Sequence, residues 1–273
     1  MIGDYLYIDG GEVSQFVGGS FPSRDRPSNG VNSTLSINIS KSWSASTVEI
    51  RAIPRPNFSA ITSEAVWGDT TGTAFYTYGG STAYNTGNEH IRKDGIWKFT
   101  ADGTGGGRWS LEGPSNPDTF QSLLFASGIT YVSANGIGFS IGGWADGNTD
   151  PLSIPGGEKG LGSQIQVPGM VSYDMKRREW KNHTTIGMLD STQQSLRDGR
   201  ALHVPTFGPN GLVFVLGGNT GGSMGPVLSF ANVNFFDPST DRWYWQTTTG
   251  VAPTGRVSYC AVGTKSTGGS YEM

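Results

Sequence analysis

Few side chains in this sequence are suited to holding a metal or moving a proton. There are three histidines, His90, His183 and His203, and one cysteine, Cys260. A single cysteine excludes an internal disulfide framework and a cysteine-built zinc site. The histidines fall in different kinds of segment. His203 lies in a strand-like run and reads as a buried structural residue. His90, in a loop, and His183, beside an Asn-His-Thr sequon, read as exposed. Cys260 sits within VSYCAV and reads as a small core residue. Acids and serines are scattered over every loop, so no Ser-His-Asp set can be nominated. The stretch DGTGGGR (102–108) has the glycines of a phosphate loop, but no helix pattern and no Gly-Lys-Ser/Thr follows. It reads as a tight turn. These patterns predict no catalytic residue, no metal and no cofactor. The other available chemistry is recognition: in GGWADGN (142–148) an aromatic ring beside an acid could stack on a sugar or anchor a peptide.

Something must position such residues, and composition indicates what. Glycine accounts for 42 of 273 residues, about twice ordinary usage. Charged residues are 15%, while Thr, Ser, Val and aromatics are plentiful. Glycine weakens helices, and β-branched and aromatic residues suit a half-buried pleated surface. The expected fold is all-β, with many short strands joined by glycine-rich turns. A net charge of −3 and a pI near 5.6 leave no electrostatic footprint for nucleic acid. No apolar run approaches the ~18 residues of a membrane span. The start, MIGDYLYIDGG, lacks the basic and apolar regions of a signal peptide.

The strands are organised by an internal repeat. YDMKRREW (173–180) and FDPSTDRW (236–243) share an aromatic-Asp start and a Trp at the same offset, 63 residues apart. Ahead of them lie β-prone runs ending in glycine pairs: Gly10-Gly11, Gly79-Gly80, Gly142-Gly143 and Gly217-Gly218. Successive pairs are 69, 63 and 75 residues apart. Each is followed 25 to 37 residues later by a tryptophan, at Trp43, Trp109, Trp180 and Trp243. Asp174 and Asp237 open the tight turns before the last two. An arginine run, GRALHV with Arg200 and His203, precedes the fourth pair, and a similar TGRVSYCAV with Arg256 lies near the C-terminus. The unit is four strands, the layout of one propeller blade. Paired glycines allow backbone angles closed to other residues, Asp sets the turn, and Trp fills the wedge between blades.

This order of arginine strand, Gly-Gly strand, aromatic-Asp strand and Trp strand resembles the Kelch-repeat β-propellers, whose fold the central domain of galactose oxidase shares. The YIDGGE opening is similar to extracellular Kelch-repeat proteins of filamentous fungi. The resemblance covers nearly the whole chain, is strongest over 199–263, and implies a Kelch-type propeller of four-stranded antiparallel blades in a single domain. Blade 1 spans about 1–53 and lacks a first strand. Blade 2 spans about 61–114, blade 3 about 122–184 and blade 4 about 199–248, with an extra strand at about 254–263. Either that strand closes a four-bladed ring, or the chain is part of a six- or seven-bladed propeller. The resemblance also raises a copper-radical oxidase, which three histidines and one cysteine support poorly.

In such a blade, the loops between strands two and three and between blades emerge on one face. That face holds Arg26, Tyr84, His90, Trp144 and Asp146, the candidate binding residues. The reading is a non-enzymatic interaction module for a protein or glycan partner. The alternative is a carbohydrate-active protein, lectin-like or a diverged oxidase. An incomplete propeller would self-associate through its exposed edge. Four sequons and the resemblance predict an extracellular or cell-surface parent protein.

Overall fold

The computed structural model describes residues 1–13, 29–55, 60–83, 95–121, 123–150, 164–189, 195–221 and 225–273. Its strands form four antiparallel meanders in chain order. The first has three strands, β1 (Tyr5–Asp9), β2 (Ser33–Asn38) and β3 (Ile50–Pro54). The second contains β4 (Ala65–Gly68), β5 (Ala74–Tyr78), β6 (Ile96–Ala101) and β7 (Gly107–Glu112). A single helical turn, α1 (Pro117–Gln121), follows. The third sheet is β8 (Thr130–Ala134), β9 (Ile137–Ile141), β10 (Met170–Asp174) and β11 (Glu179–Asn182). The fourth is β12 (Arg200–Val204), β13 (Leu212–Leu216), β14 (Asn232–Asp237) and β15 (Arg242–Thr247).

A twisted four-stranded sheet cannot bury both faces alone, so each packs on the next. Phe75, Phe99 and Ile53, with Tyr7 and Trp109 against them, fill the space between the first two sheets. Trp67, Tyr78, Tyr173 and Trp180 fill the second interface, and Phe139, Ile141, Met170, Val213, Phe236 and Trp243 the third. Indole N–H groups cross these interfaces. Trp67 Nε1 donates to the Phe139 carbonyl at 3.1 Å, Trp109 Nε1 to Thr34 Oγ1 at 3.0 Å and Trp243 Nε1 to the Thr184 carbonyl at 3.1 Å. The twin segments share a turn. Asp174 and Asp237 each accept a backbone N–H two residues on, and Arg178 and Asp241 take φ of +60° and +57°.

The glycine pairs connect one sheet to the next. In all four, both glycines have positive φ, from +52° to +99°. The second glycine donates its N–H to a carbonyl at the entrance to the following blade: Gly11 to Ile61 (2.8 Å), Gly80 to Ala126 (2.7 Å), Gly143 to Leu196 (2.6 Å) and Gly218 to Arg256 (2.9 Å). The first glycine lies against that same carbonyl, where a Cβ at Gly10, Gly79, Gly142 or Gly217 would collide.

Several sequence-based expectations are corrected. Trp43 is not a wedge residue: it is 50% exposed in the turn between β2 and β3, and Ile50 pairs with Ile37 where the other blades place their Trp. The strand expected from that tryptophan starts later, at Ile50, because an eleven-residue connection (39–49) replaces a tight turn. No strand forms over 254–263. The chain there is irregular, Arg256 and Cys260 are exposed, and only a short ribbon follows (Thr264–Lys265 with Tyr271–Glu272). His203 is only half-buried, with Nε2 at 3.1 Å from the Asn210 carbonyl. His183, expected on the surface, is buried.

Gly142→Ala is expected to cost at least ~2 kcal/mol, since it combines left-handed strain with a carbonyl collision. Gly72→Ala, also at positive φ (+66°) but with nothing within 4 Å of its Cβ, should cost only the strain, about 1 kcal/mol. Urea unfolding of the two variants decides it, and equal losses would show that the glycine pairs are mere turn residues.

Candidate functional site

Where the blades begin, the chain repeats one conformation around the axis. Ser63, Gly128, Asp198 and Ser258 have φ of +55°, +63°, +57° and +51°, a costly region for the three that are not glycine. The last three are linked in series: the Asp198 N–H donates to the Gly128 carbonyl at 2.8 Å, and the Ser258 N–H to the Asp198 carbonyl at 2.9 Å. All four line a cleft of about 650 Å³, with Glu64, Tyr131, Arg200 and Cys260 on its walls.

The walls carry charge of both signs. Arg200, half-buried on β12, donates Nη1 to the Gly199 carbonyl at 2.7 Å, and its guanidinium carbon lies 5.9 Å from the Tyr259 ring centroid. Among the described residues no carboxylate pairs with it. Glu64 belongs to a buried cluster behind the opposite wall. Arg55 Nη2 donates to Asp9 Oδ2 at 2.6 Å and to Glu64 Oε1 at 3.0 Å, while Thr34 Oγ1 donates to Asp9 Oδ1 at 2.6 Å. Burial drives the Glu64 pKa well above the usual carboxylate range, against the pull of Arg55 and with the charge of Asp9. Burial also raises the Tyr131 phenol, which Arg200 pulls down and Glu64 pushes up.

Trp144 packs beside Gly128, one of the residues that line the cleft. A Cβ on Gly128 would come within 2.8 Å of Trp144 Nε1 and 2.9 Å of Asp198 Oδ1. The Arg197 guanidinium carbon lies 5.4 Å from the Trp144 ring centroid. Arg197 also donates Nε to Asp198 Oδ2 at 2.9 Å and Nη1 to Gln164 Oε1 at 3.0 Å. A tryptophan fixed in a polar frame therefore lies next to the cleft, an arrangement common at the anchors of binding surfaces.

The other predicted residues fare differently. Asp146 is 1% exposed and organises a turn: its Oδ1 accepts the Asn148 N–H at 2.7 Å, and its carbonyl accepts the N–H groups of Thr149 and Asp150. That turn is tied to the preceding blade by the Thr82 N–H, which donates to the Asn148 carbonyl at 2.9 Å. Asp146 thus supports the loop from within. Arg26, Tyr84 and His90 lie outside the described residues. Sequence reasoning missed Asp198, Glu64 and Tyr131 as cleft residues, and Arg197 behind them. The signal for Asp198 was the repeat itself, because it occupies the place of Ser63, Gly128 and Ser258.

The structure also assembles the Ser-His-Asp set that spacing did not reveal. His183 Nε2 is 2.7 Å from Ser172 Oγ and Nδ1 is 2.6 Å from Asp241 Oδ1, the distances of a nucleophile–base–acid relay. Its surroundings are those of a core. Ser172 is 4% exposed, and the imidazole is packed against Phe139 and Phe236, with centroids at 5.8 and 5.2 Å. The relay joins the third sheet to the β14–β15 turn of the fourth. Among the described residues, no group of three or more His, Cys, Asp or Glu side chains is placed to hold a metal ion.

No family model matches this chain. It is 22% identical over 262 residues to a Kelch repeat-containing protein of Arthroderma benhamiae, covering 86% of this chain and 38% of that protein. The solved structure of YjhT superposes with a TM-score of 0.51 at 12% identity, covering 80% of this chain and 53% of that one. The chain thus spans well under two thirds of either relative. The resemblance to Kelch-repeat proteins holds, and the fold is a Kelch-type β-propeller.

The relay makes stability depend on pH. Burial lowers the His183 pKa, although Asp241 opposes the shift. Partial burial disfavours the Asp241 carboxylate, but hydrogen bonds from His183 and Lys181 outweigh this and hold its pKa below the usual value. The unfolded histidine takes up a proton near pH 6.5 while the folded one resists it. Stability is therefore full above that pH and is lost as pH falls through the lower folded-state value. Chemical unfolding from pH 8 to 5 should show this loss in the native chain and a flatter profile in His183→Gln.

Proposed function

We propose that this propeller is a non-enzymatic interaction module that receives its partner on the loop face, over the mouth of the axial cleft. The observation that carries the reading is Arg200. A half-buried guanidinium facing a cleft, held by one carbonyl and a ring but by no acid among the described residues, is partly desolvated without its best partner. An incoming carboxylate would form a charge-assisted, two-point contact there. Trp144, half-buried beside the cleft, supplies an aromatic surface of the kind on which binding energy concentrates, and the buried Arg197 holds its ring in place.

The partner this favours is a protein offering an acidic side chain from an extended loop. Relatives with Kelch repeats commonly bind proteins, and the matched fungal protein is named only for those repeats. A glycan is the second reading, favoured by the aromatic ring of Trp144 beside a polar cleft. The non-enzymatic part rests on the burial of the Ser172 hydroxyl, which leaves a substrate carbonyl no approach to Oγ.

A phage-displayed library of acidic peptides and a glycan array should be presented to the same purified chain. Acidic peptides are expected to bind, with affinity falling at least ~10-fold in Arg200→Ala and Trp144→Ala, the size of one lost charged hydrogen bond or anchor. Binding should also weaken with salt. Glycan hits that depend on Trp144 but not on Arg200 would favour the second reading. Ligands indifferent to both substitutions would remove the cleft mouth from consideration.

A further inference from the structure

The turn that follows Trp144 holds chemistry the cleft does not use. Asp146, Asn148 and Asp150 stand at alternate positions, D-x-N-x-D, the spacing of the first three side-chain ligands in a calcium loop. The Asp150 N–H donates to the Asp146 carbonyl at 3.0 Å, which closes a single α-turn and sets positions 146 and 150 on one side of it. Both acids are buried, Asp146 1% and Asp150 0% exposed. Their hydrogen bonds are unequal. Asp150 Oδ2 accepts the Phe125 N–H at 2.9 Å. Asp146 Oδ1 accepts the Asn148 N–H at 2.7 Å, which turns the carboxylate into the loop, while its Oδ2 is buried with no hydrogen-bond partner. Among the described residues, no Arg, Lys or His forms an ion pair with Asp146. A buried carboxylate is costly unless a cation or enough donors meet it, and here one oxygen is left unmet. The turn itself is pinned. The Asp146 N–H donates to Thr149 Oγ1 at 2.8 Å, and the Thr82 N–H of the preceding blade to the Asn148 carbonyl at 2.9 Å.

We propose that this turn binds a calcium ion, with Asp146 Oδ2, the Asn148 amide oxygen and the Asp150 carboxylate as its side-chain ligands. Only two of the three are acids, so the turn is not one of the acid, histidine or cysteine triads that hold a transition metal. Hard oxygen donors of this kind suit Ca²⁺. The rest of the loop motif is absent, Pro151 standing where it has glycine, and water and backbone carbonyls complete the shell. Two carboxylates and one amide place the affinity in the weak range, Kd about 10⁻⁴–10⁻³ M. The bound ion meets the buried charge of Asp146 and stiffens a turn that is hydrogen-bonded to the preceding blade at Thr82 and to the entrance of its own blade at Phe125.

The full chain, stripped of metal with a chelator, is titrated with Ca²⁺ by isothermal calorimetry, and its thermal midpoint is compared in Ca²⁺ and in EGTA. Saturable binding and a higher midpoint in Ca²⁺ are expected. Asp146→Asn keeps an oxygen for the Asn148 N–H but removes the charge, and should weaken binding at least ~10-fold. Asn148→Asp adds a carboxylate to the same turn and should tighten binding ~10-fold, which keeps the test decisive if Asp146→Asn fails to fold. Asp102→Asn, in an exposed turn where Oδ1 accepts the Thr104 and Gly106 N–H groups, should leave calcium affinity unchanged. Absence of binding heat together with equal midpoints overturns the proposal. Calcium binding that neither Asp146→Asn nor Asn148→Asp alters overturns it as well, because the ion then sits elsewhere on the chain.

Discussion

The hydrogen bond from the second glycine of each pair to the entrance of the next blade sets the geometry on which the rest depends. It is short, 2.6 to 2.9 Å in the four instances, and the first glycine lies so close to the same carbonyl that a Cβ has no room. Neighbouring sheets are thereby fixed at one separation and angle near the axis. The aromatic side chains farther out then fill a wedge whose shape is already decided. Packing supplies most of the energy, because buried aromatics remove large apolar areas from water. The glycines determine which sheet face meets which, and at what distance.

The same constraint produces the candidate site. Once the chain has accepted the glycine N–H, it must turn sharply to start the inner strand, and it does so through the left-handed residues Ser63, Gly128, Asp198 and Ser258. These turns line the cleft, so each places one residue on the same arc. Variation at that one position can change the mouth without disturbing the staple: Gly128 leaves room for Trp144, while Asp198 holds Arg197 against it. A rigid scaffold and a variable rim thus come from adjacent residues of one repeat.

That division explains what the sequence disclosed. The glycine pairs and the Asp turns were legible because each demands a backbone conformation that few residues tolerate. Trp180 and Trp243 were legible because only a large ring fills the wedge. Trp43 misled because residue type was read without register, and a long connection had moved the strand beyond it. His183 misled in another way: its flanking sequon suggested the surface, but its environment comes from Ser172 and from Asp241, 58 residues away. Arg55, Asp9 and Glu64 form their cluster across a blade boundary, and nothing local in the sequence marks such a contact. Cys260 looked like a strand residue because VSYCAV alternates as one, yet alternation makes a strand only where a neighbour offers a ladder.

The electrostatics of the cleft follow from where arginines find acids. Arg55 is held by two carboxylates in a buried setting, where its charge is matched, and burial raises the pKa of one of them, Glu64. Arg197 at the rim is matched by Asp198. Arg200 has no acid among the described residues. The cleft interior is therefore biased positive, although the whole chain carries a net charge of −3. Net charge governs solubility and long-range encounter, while the local field in a low-dielectric cleft decides what is held once it arrives. An acidic group would be weakly repelled at a distance and attracted at the mouth.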